Sequence, residues 1–509
     1  MYHVKDYGAT GNGIVKDTQA IQNTIDDCHV NGGGVVVVSS GTYLCGTIYI
    51  KSNIELHLES GATILGSPDR KDYNADDIFS ENVAFASENV TAAHLIIAYQ
   101  QDNVSITGNG IIDGNSNCFF EQDEYTVQNS SYRFKIKNLP IKSWRPGQMV
   151  FFCRCTNVNV SNVKLYNSTY WTLFVLGCRD VHINGLTIEN PPTTQNGDGI
   201  DIDCSQNVTV SDCIVRSGDD SLTVRANRRA LGENTISCEN ITVSNCILSS
   251  PCCAIRVGVG DGNVRNCTFS NIIITNSRTG INMVCRYSKN SMHGVNIENV
   301  KFSSFIMDVI IPFSINSGEL AIPPAGMKNI SFRNFSIKAT AGSQIVGNDL
   351  VPICDITMSD FDWEISGGTL NCEFVNRMPT SFVIPGYHGM NNQPALPCVL
   401  YGRNLHHISF NRVRVKWNKQ SVVWHEGFIF DKCKDMELIN MRLRQPKDND
   451  GNAILCRSSS SIFLRGCRAE GGTNVFAKIE GVNEKTNVLS MENDFSDATT
   501  GLDIVQEDY

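Results

Sequence analysis

One short phrase recurs along this chain: asparagine, apolar, polar, apolar. It reads Asn53-Ile54-Glu55-Leu56, Asn103-Val104-Ser105-Ile106, Asn157-Val158-Asn159-Val160, Asn207-Val208-Thr209-Val210 and Asn240-Ile241-Thr242-Val243. Asp180-Val181-His182-Ile183 and Asn329-Ile330-Ser331-Phe332 are variants of it. Strict alternation over four to six residues means a short strand with one buried face. A single strand of that length cannot bury its face alone, but stacked rungs bury a continuous apolar column. Asn157 to Asp180 spans 23 residues and Asp180 to Asn207 spans 27, the length of one rung of a β-solenoid. Asparagine has a use at a fixed rung position. It tolerates the left-handed backbone of a corner, and its side-chain amide can ladder to the rung above. Long amphipathic helices are missing from the pattern, which disfavours a barrel or a doubly wound sheet. The expected fold is all-β, a parallel β-helix formed by residues 1–509 as a single domain.

Within that domain, residues 1–70 are expected to form a cap and first rungs, 140–318 the rungs that carry chemistry, and 319–509 C-terminal rungs. An inserted loop is expected around 367–397, where Pro, Gly and Asn interrupt the alternation. The one clear helix begins at Asp17-Thr18, either of which can cap it. It puts Ala20, Ile21, Thr24, Ile25 and Cys28 on one face and stops at Gly32-Gly33-Gly34. It is read as the cover of the solenoid's open end. The strand Val35-Val36-Val37-Val38 follows.

A hydrophobic fraction of 41% supports a large core, and a net charge of −10 disfavours a nucleic-acid backbone as partner. Apolar runs are too short for a membrane helix. Met1-Tyr2-His3-Val4-Lys5-Asp6 lacks an export pattern, so the chain is expected in the cytoplasm, or secreted if a leader was trimmed. The 20 cysteines are dispersed through apolar runs and read mostly as small buried thiols, although the adjacent Cys252 and Cys253 leave pairing open. The histidines show no metal-ligand spacing, and neither metal nor cofactor is expected.

Two acidic motifs stand out. Asp198 lies in Asn196-Gly197-Asp198-Gly199, and Asp219 and Asp220 lie in Gly218-Asp219-Asp220, 21 and 22 residues later. Gly-Asp pairs are common at corners, and each motif alone reads as a turn. One rung apart, however, their side chains would stack at about 4.8 Å on one patch. Crowded carboxyls split their proton affinities, and glycosidic hydrolysis needs one carboxyl as proton donor and another as acceptor.

At these residues the chain resembles glycoside hydrolase family 28, the polygalacturonase family. The likeness begins at Val4-Lys5-Asp6-Tyr7-Gly8-Ala9. It runs through Gly41-Thr42-Tyr43, Leu58-Glu59-Ser60-Gly61-Ala62, Arg145-Pro146 and Asn167-Ser168-Thr169-Tyr170-Trp171-Thr172-Leu173 to about Gly318. The resemblance implies a right-handed β-helix and a metal-free inverting mechanism. It implies Asp219 as general acid, with Asp198 and Asp220 holding the attacking water. Two family motifs are missing: Gly-His-Gly near Ser250-Pro251-Cys252-Cys253, and Arg-Ile-Lys near Gly280-Ile281-Asn282-Met283. In the family these basic residues hold a sugar carboxylate. A neutral sugar, or a uronate held by other cations, is therefore expected at the cleaved position. Arg225, Arg256 and Arg286 are the candidate cations, Asn196 a further substrate contact, and Trp171 a ring that either stacks on a sugar or belongs to the core. Arg228 and Arg229 are weaker candidates. The expected partner is a plant-derived oligosaccharide attacked from its end, and homo-oligomerisation is left open. Two other classes remain: a β-helix lyase or fructan-rearranging transferase, and a non-catalytic carbohydrate-binding solenoid.

Overall fold

The computed structural model describes residues 1–74, 77, 79–82, 90–122, 138–228, 231–287, 293–318, 321–366, 398–418, 424, 426–448, 450–482 and 486–506. The expected inserted loop around 367–397 and Arg229 lie outside these. The chain divides into two compact units: Met1–Ile255 with Asp261–Val264, and Arg256–Gly260 with Arg265–Tyr509.

In the first unit the repeated phrase becomes one wall of a parallel β-helix. Strands Thr156–Ser161, Arg179–Asn184 and Gln206–Ser211 stack in parallel, with Val158, Val181 and Val208 in register. The apolar positions Val158, Val160, Val181, Ile183, Val208 and Val210 point inward and are at most 1% exposed. The leading Asn or Asp takes a left-handed φ each time: 65° at Asn53, 56° at Asn103, 54° at Asn157, 57° at Asp180 and 57° at Asn207. Asn103 Nδ2 donates to Asn53 Oδ1, Asn157 Nδ2 to Asn103 Oδ1, and Asn207 Nδ2 to Asp180 Oδ1, each at 2.8 Å. The corner residue thus bends the chain and binds the next rung at once, which is why the same residue type recurs.

The helix Thr18–Val30 buries Ile21, Thr24, Ile25 and Cys28, as the pattern predicts. Its capping differs. The side chain of the buried Asp17 makes no capping bond to the helix; its carboxylate accepts from the Thr10 amide at 2.6 Å and the Gly11 amide at 3.0 Å, tying an earlier turn to the helix start. The strand Gly34–Val38 follows and pairs in parallel with Ile54–Leu58.

The second unit repeats the logic with aromatic columns. Strands Asn296–Asn316, Met327–Ala339, Ile353–Ile365 and Leu405–Trp417 stack in parallel. Phe305, Phe335 and Phe361 form a continuous stack with centroids 4.8 Å apart at each step. Within this unit Asn329 Nδ2 donates to Asn299 Oδ1 at 2.6 Å, an asparagine step of the same kind. Every described cysteine is a free thiol, and all but Cys118 and Cys354 are buried. No described helix is long and apolar enough to cross a membrane.

Candidate active site

The acids of both motifs lie in the first unit, where strands Leu173–Leu176, Ile200–Asp203 and Leu222–Ala226 stack on one another. Ile200 pairs with Leu222, so the register carries Asp198 opposite Asp220 two residues earlier. The Gly199 amide donates to the Asp220 carbonyl at 2.9 Å, fixing that stacking. The flanking glycines are required by space. A Cβ on Gly199 would lie 2.4 Å from both the Ser221 carbonyl oxygen and Val215 Cγ1, and one on Gly218 would lie 2.6 Å from the Thr194 carbonyl oxygen. The Gly-Asp pairs are thus corner residues and also acids brought onto one patch.

The backbone around Asp198 is held on both sides. Its carbonyl accepts from the Thr172 amide at 3.0 Å and the Thr172 hydroxyl at 2.7 Å. Asn190 Nδ2 donates to Thr172 Oγ1 at 2.7 Å and to the Gly197 carbonyl at 3.1 Å. Arg145, fully buried, donates to the carbonyls of Thr169 and Gln195 and to Asn196 Oδ1 at 3.1 Å, with its guanidinium 4.9 Å over the Tyr170 ring. Asn196, proposed from sequence as a substrate contact, thus offers its side-chain oxygen to Arg145 from a left-handed corner with φ 55°.

Asp198 and Asp220 are 6% and 5% exposed, and Asp219 is half-buried. Burial, then the charges of Asp201, Asp219 and Asp220, push the Asp198 carboxyl well above the usual range. Asp198 Oδ1 has no hydrogen-bond partner among the described residues. Asp220 Oδ1 accepts from the Cys253 amide at 3.1 Å, and the Ser250 hydroxyl donates to the Asp219 carbonyl at 2.5 Å.

Two further acids share the patch. In Ile200-Asp201-Ile202-Asp203 the isoleucines point into the core and the aspartates out. Asp203 pairs in register with Arg225, whose Nε lies 3.6 Å from Asp203 Oδ2 and whose Nη1 lies 3.9 Å from Asp201 Oδ1. Thr223 Oγ1 donates to Asp201 Oδ1 at 2.5 Å, and the Asn227 amide to Asp203 Oδ1 at 2.7 Å. Burial pushes Asp201 up to about 7 against the pull of Arg225, and raises Asp203 in the same way. The Arg225 guanidinium sits 4.4 Å over the Trp171 ring, which also stacks on Tyr170 at 4.9 Å and is 6% exposed. Trp171, Phe174, Asp203, Arg225, Glu81 and Gln148 line a concavity beside the acids.

The family model of glycosyl hydrolases family 28 matches residues 60–382. The chain belongs to that family. It is 28% identical over 238 residues to a polygalacturonase of Malus domestica, 46% of either chain, and 24% identical over 396 residues to an exo-poly-alpha-D-galacturonosidase of Dickeya chrysanthemi, 70% of this chain and 64% of that one. It thus spans less than two thirds of either relative's length. An exopolygalacturonase from Thermotoga maritima superimposes with a TM-score of 0.53 at 22% identity, over 72% of this chain and 87% of that one, and shares its fold. The architecture is the right-handed parallel β-helix of family 28.

Against the family's pattern, the candidate cations separate. Arg225 lies within the acid patch. Arg256 and Arg286 belong to the second unit and are buried there, at 5% and 9% exposure. Arg256 Nη1 donates to Asn282 Oδ1 at 2.9 Å, and Asn282 Nδ2 to the Ser314 carbonyl at 2.9 Å. Arg228 is on the surface of the first unit, 3.8 Å from Asp261 Oδ1. Sequence reasoning overlooked Asp201, Asp203 and the anchoring role of Arg145. The signal for the first two was present: acids alternating with isoleucine fall on one face of a strand. The contact of Asp220 with Cys253 also had a signal, since both it and the ladder step from Asn207 to Asn240 span 33 residues.

Proposed function

We propose that this family 28 chain hydrolyses a glycosidic bond with inversion, using Asp219 as proton donor and Asp198 with Asp220 to hold and deprotonate the attacking water. The observation that carries the reading is the stacking of Asp198 on Asp220, one rung apart, with Asp219 adjoining. Burial and then the charges of Asp201, Asp219 and Asp220 favour the protonated form of Asp198, and like charges this close oppose full ionisation of the cluster. A cluster neither fully ionised nor fully protonated supplies both the donor and the acceptor that inversion requires. Asp219 is the half-exposed member, the one an incoming glycosidic oxygen can reach.

The sugar at the cleaved bond is neutral. Arg225, beside the acids, is already engaged by Asp203 and Asp201, and a uronate would add another carboxylate to five. A desolvated carboxylate without a partner costs several kcal/mol. Exo action is the mode suggested by the Dickeya relative's name.

The test is a screen of plant oligosaccharides, neutral and uronate-ended, with products identified by mass and by anomeric NMR. Hydrolysis of a neutral-ended substrate with inverted product is expected. Asp219→Asn should lower turnover about a hundred- to ten-thousandfold, the range for loss of a general acid, while changing the melting temperature little. Unchanged turnover in Asp219→Asn would sink the assignment, and a rapid fall in polymer viscosity would exclude exo action.

A further inference from the structure

Asp220 faces two ways. On one side it stacks on Asp198; on the other, rung pairing brings it the adjacent thiols Cys252 and Cys253. The Cys253 amide donates to Asp220 Oδ1 at 3.1 Å, and one carboxylate oxygen and the two sulfurs all lie within 4.8 Å of one another. The sulfurs are 3.9 Å apart. Two thiolates on one tetrahedral ion, each at about 2.3 Å, are about 3.8 Å apart, so the pair already has the spacing such an ion imposes. The three residues are 5%, 3% and 2% exposed, so the donors converge in a closed setting and not on an open surface. Two soft sulfurs and one carboxylate select a zinc-class ion over magnesium or calcium, which require oxygen donors. Three protein ligands leave a fourth position for water.

We propose that Asp220, Cys252 and Cys253 form a binding site for a thiophilic divalent cation of the zinc class, and that its occupancy withdraws Asp220 from the acid cluster and stops turnover. The binding half stands on the donor geometry alone; the inhibition half rests on the hydrolytic reading above. The thiols must give up protons to the ion. Affinity therefore rises with pH as binding releases those protons.

The test uses the full-length protein, reduced and stripped of metal, in equilibrium dialysis against zinc, with cobalt as a spectroscopic substitute. One zinc per chain is expected, together with a thiolate-to-cobalt charge-transfer band. Affinity should tighten at least tenfold per pH unit through neutrality, as release of one or more protons demands. Cys252→Ser and Asp220→Asn should each weaken binding at least tenfold, whereas Cys118→Ser, at an exposed thiol elsewhere, should not. The cobalt band in the unaltered protein keeps the test decisive if a variant fails to fold. Absence of stoichiometric zinc, a cobalt complex without the thiolate band, or binding that survives Cys252→Ser overturns the site. Zinc should abolish turnover and a chelator restore it; full turnover with zinc bound overturns the inhibition. A metal-free protein inert on every substrate would instead count against the hydrolytic reading, leaving the binding result intact.

Discussion

Arg225 is set against two buried acids, and replacing it by methionine keeps its bulk while deleting its charge. At an effective dielectric constant near 20, its contacts of 3.6 Å with Asp203 and 3.9 Å with Asp201 correspond to about 4.6 and 4.3 kcal/mol of attraction. The net loss is smaller, because a stranded carboxylate takes up a proton instead of staying charged; removing one partner of a buried pair costs about 3–5 kcal/mol. For a cooperative unit of this size that is about 8 °C in melting temperature, at roughly 2 °C per kcal/mol. The pH dependence identifies the cause. Burial holds Asp201 at about 7 even beside Arg225, so at pH 5 that acid is neutral in the native protein and its share of the attraction is already gone. Calorimetry of Arg225→Met should therefore show the full drop at pH 8 and a smaller one at pH 5. An equal drop at both pH values, or one under about 2 °C at pH 8, refutes the electrostatic account and leaves Arg225 as packing on Trp171.

Other consequences follow from the same site. Arg145→Ala strands three acceptors, the carbonyls of Thr169 and Gln195 and the side-chain oxygen of Asn196, and should destabilise by about 3 kcal/mol in denaturant titration; Arg145→Lys should not rescue it, because one ammonium cannot reproduce the planar fork. Gly199→Ala forces a Cβ to 2.4 Å from the Ser221 carbonyl oxygen and should cost about 1–3 kcal/mol, whereas Gly471→Ala, with nothing within 4 Å, should be near neutral by the same measurement. Asp198, Asp201 and Asp203 all have folded-state proton affinities raised by burial. Their contribution is complete below the ordinary carboxylate range and is lost as pH rises toward the folded value, about 7 for Asp201. Melting temperature should accordingly fall between pH 5 and 8, and Asp201→Asn should flatten that slope; a rise over this interval would contradict the sign.

Much of the fold was legible because its causes are local. Asn53, Asn103, Asn157 and Asn207 announce corners since few residue types accept a φ near 60°, and the alternation after each one fixes which side chains face the core. The helix Thr18–Val30 was legible from its apolar face, but its start was not. Asp17 has the chemistry of a cap, yet the amides of Thr10 and Gly11 compete for its carboxylate, and only folding brings them to it.

For the site, the sequence by itself determined the acids and the glycines around them, together with the strand alternation that turns Asp201 and Asp203 to one face. Tertiary structure decided their partners. It engaged Arg225 with Asp203 and laid it over Trp171, and it drew Arg145 to the loop before Asp198. It also set Cys252 and Cys253 beside Asp220. The reason is physical: a residue's neighbour in a solenoid lies one rung away, and rung length varies, from 22 residues between Asp198 and Asp220 to 33 between Asp220 and Cys253. Local preferences fix where each strand begins, but only the pairing of strands and the closing of a common core select which rung position meets which.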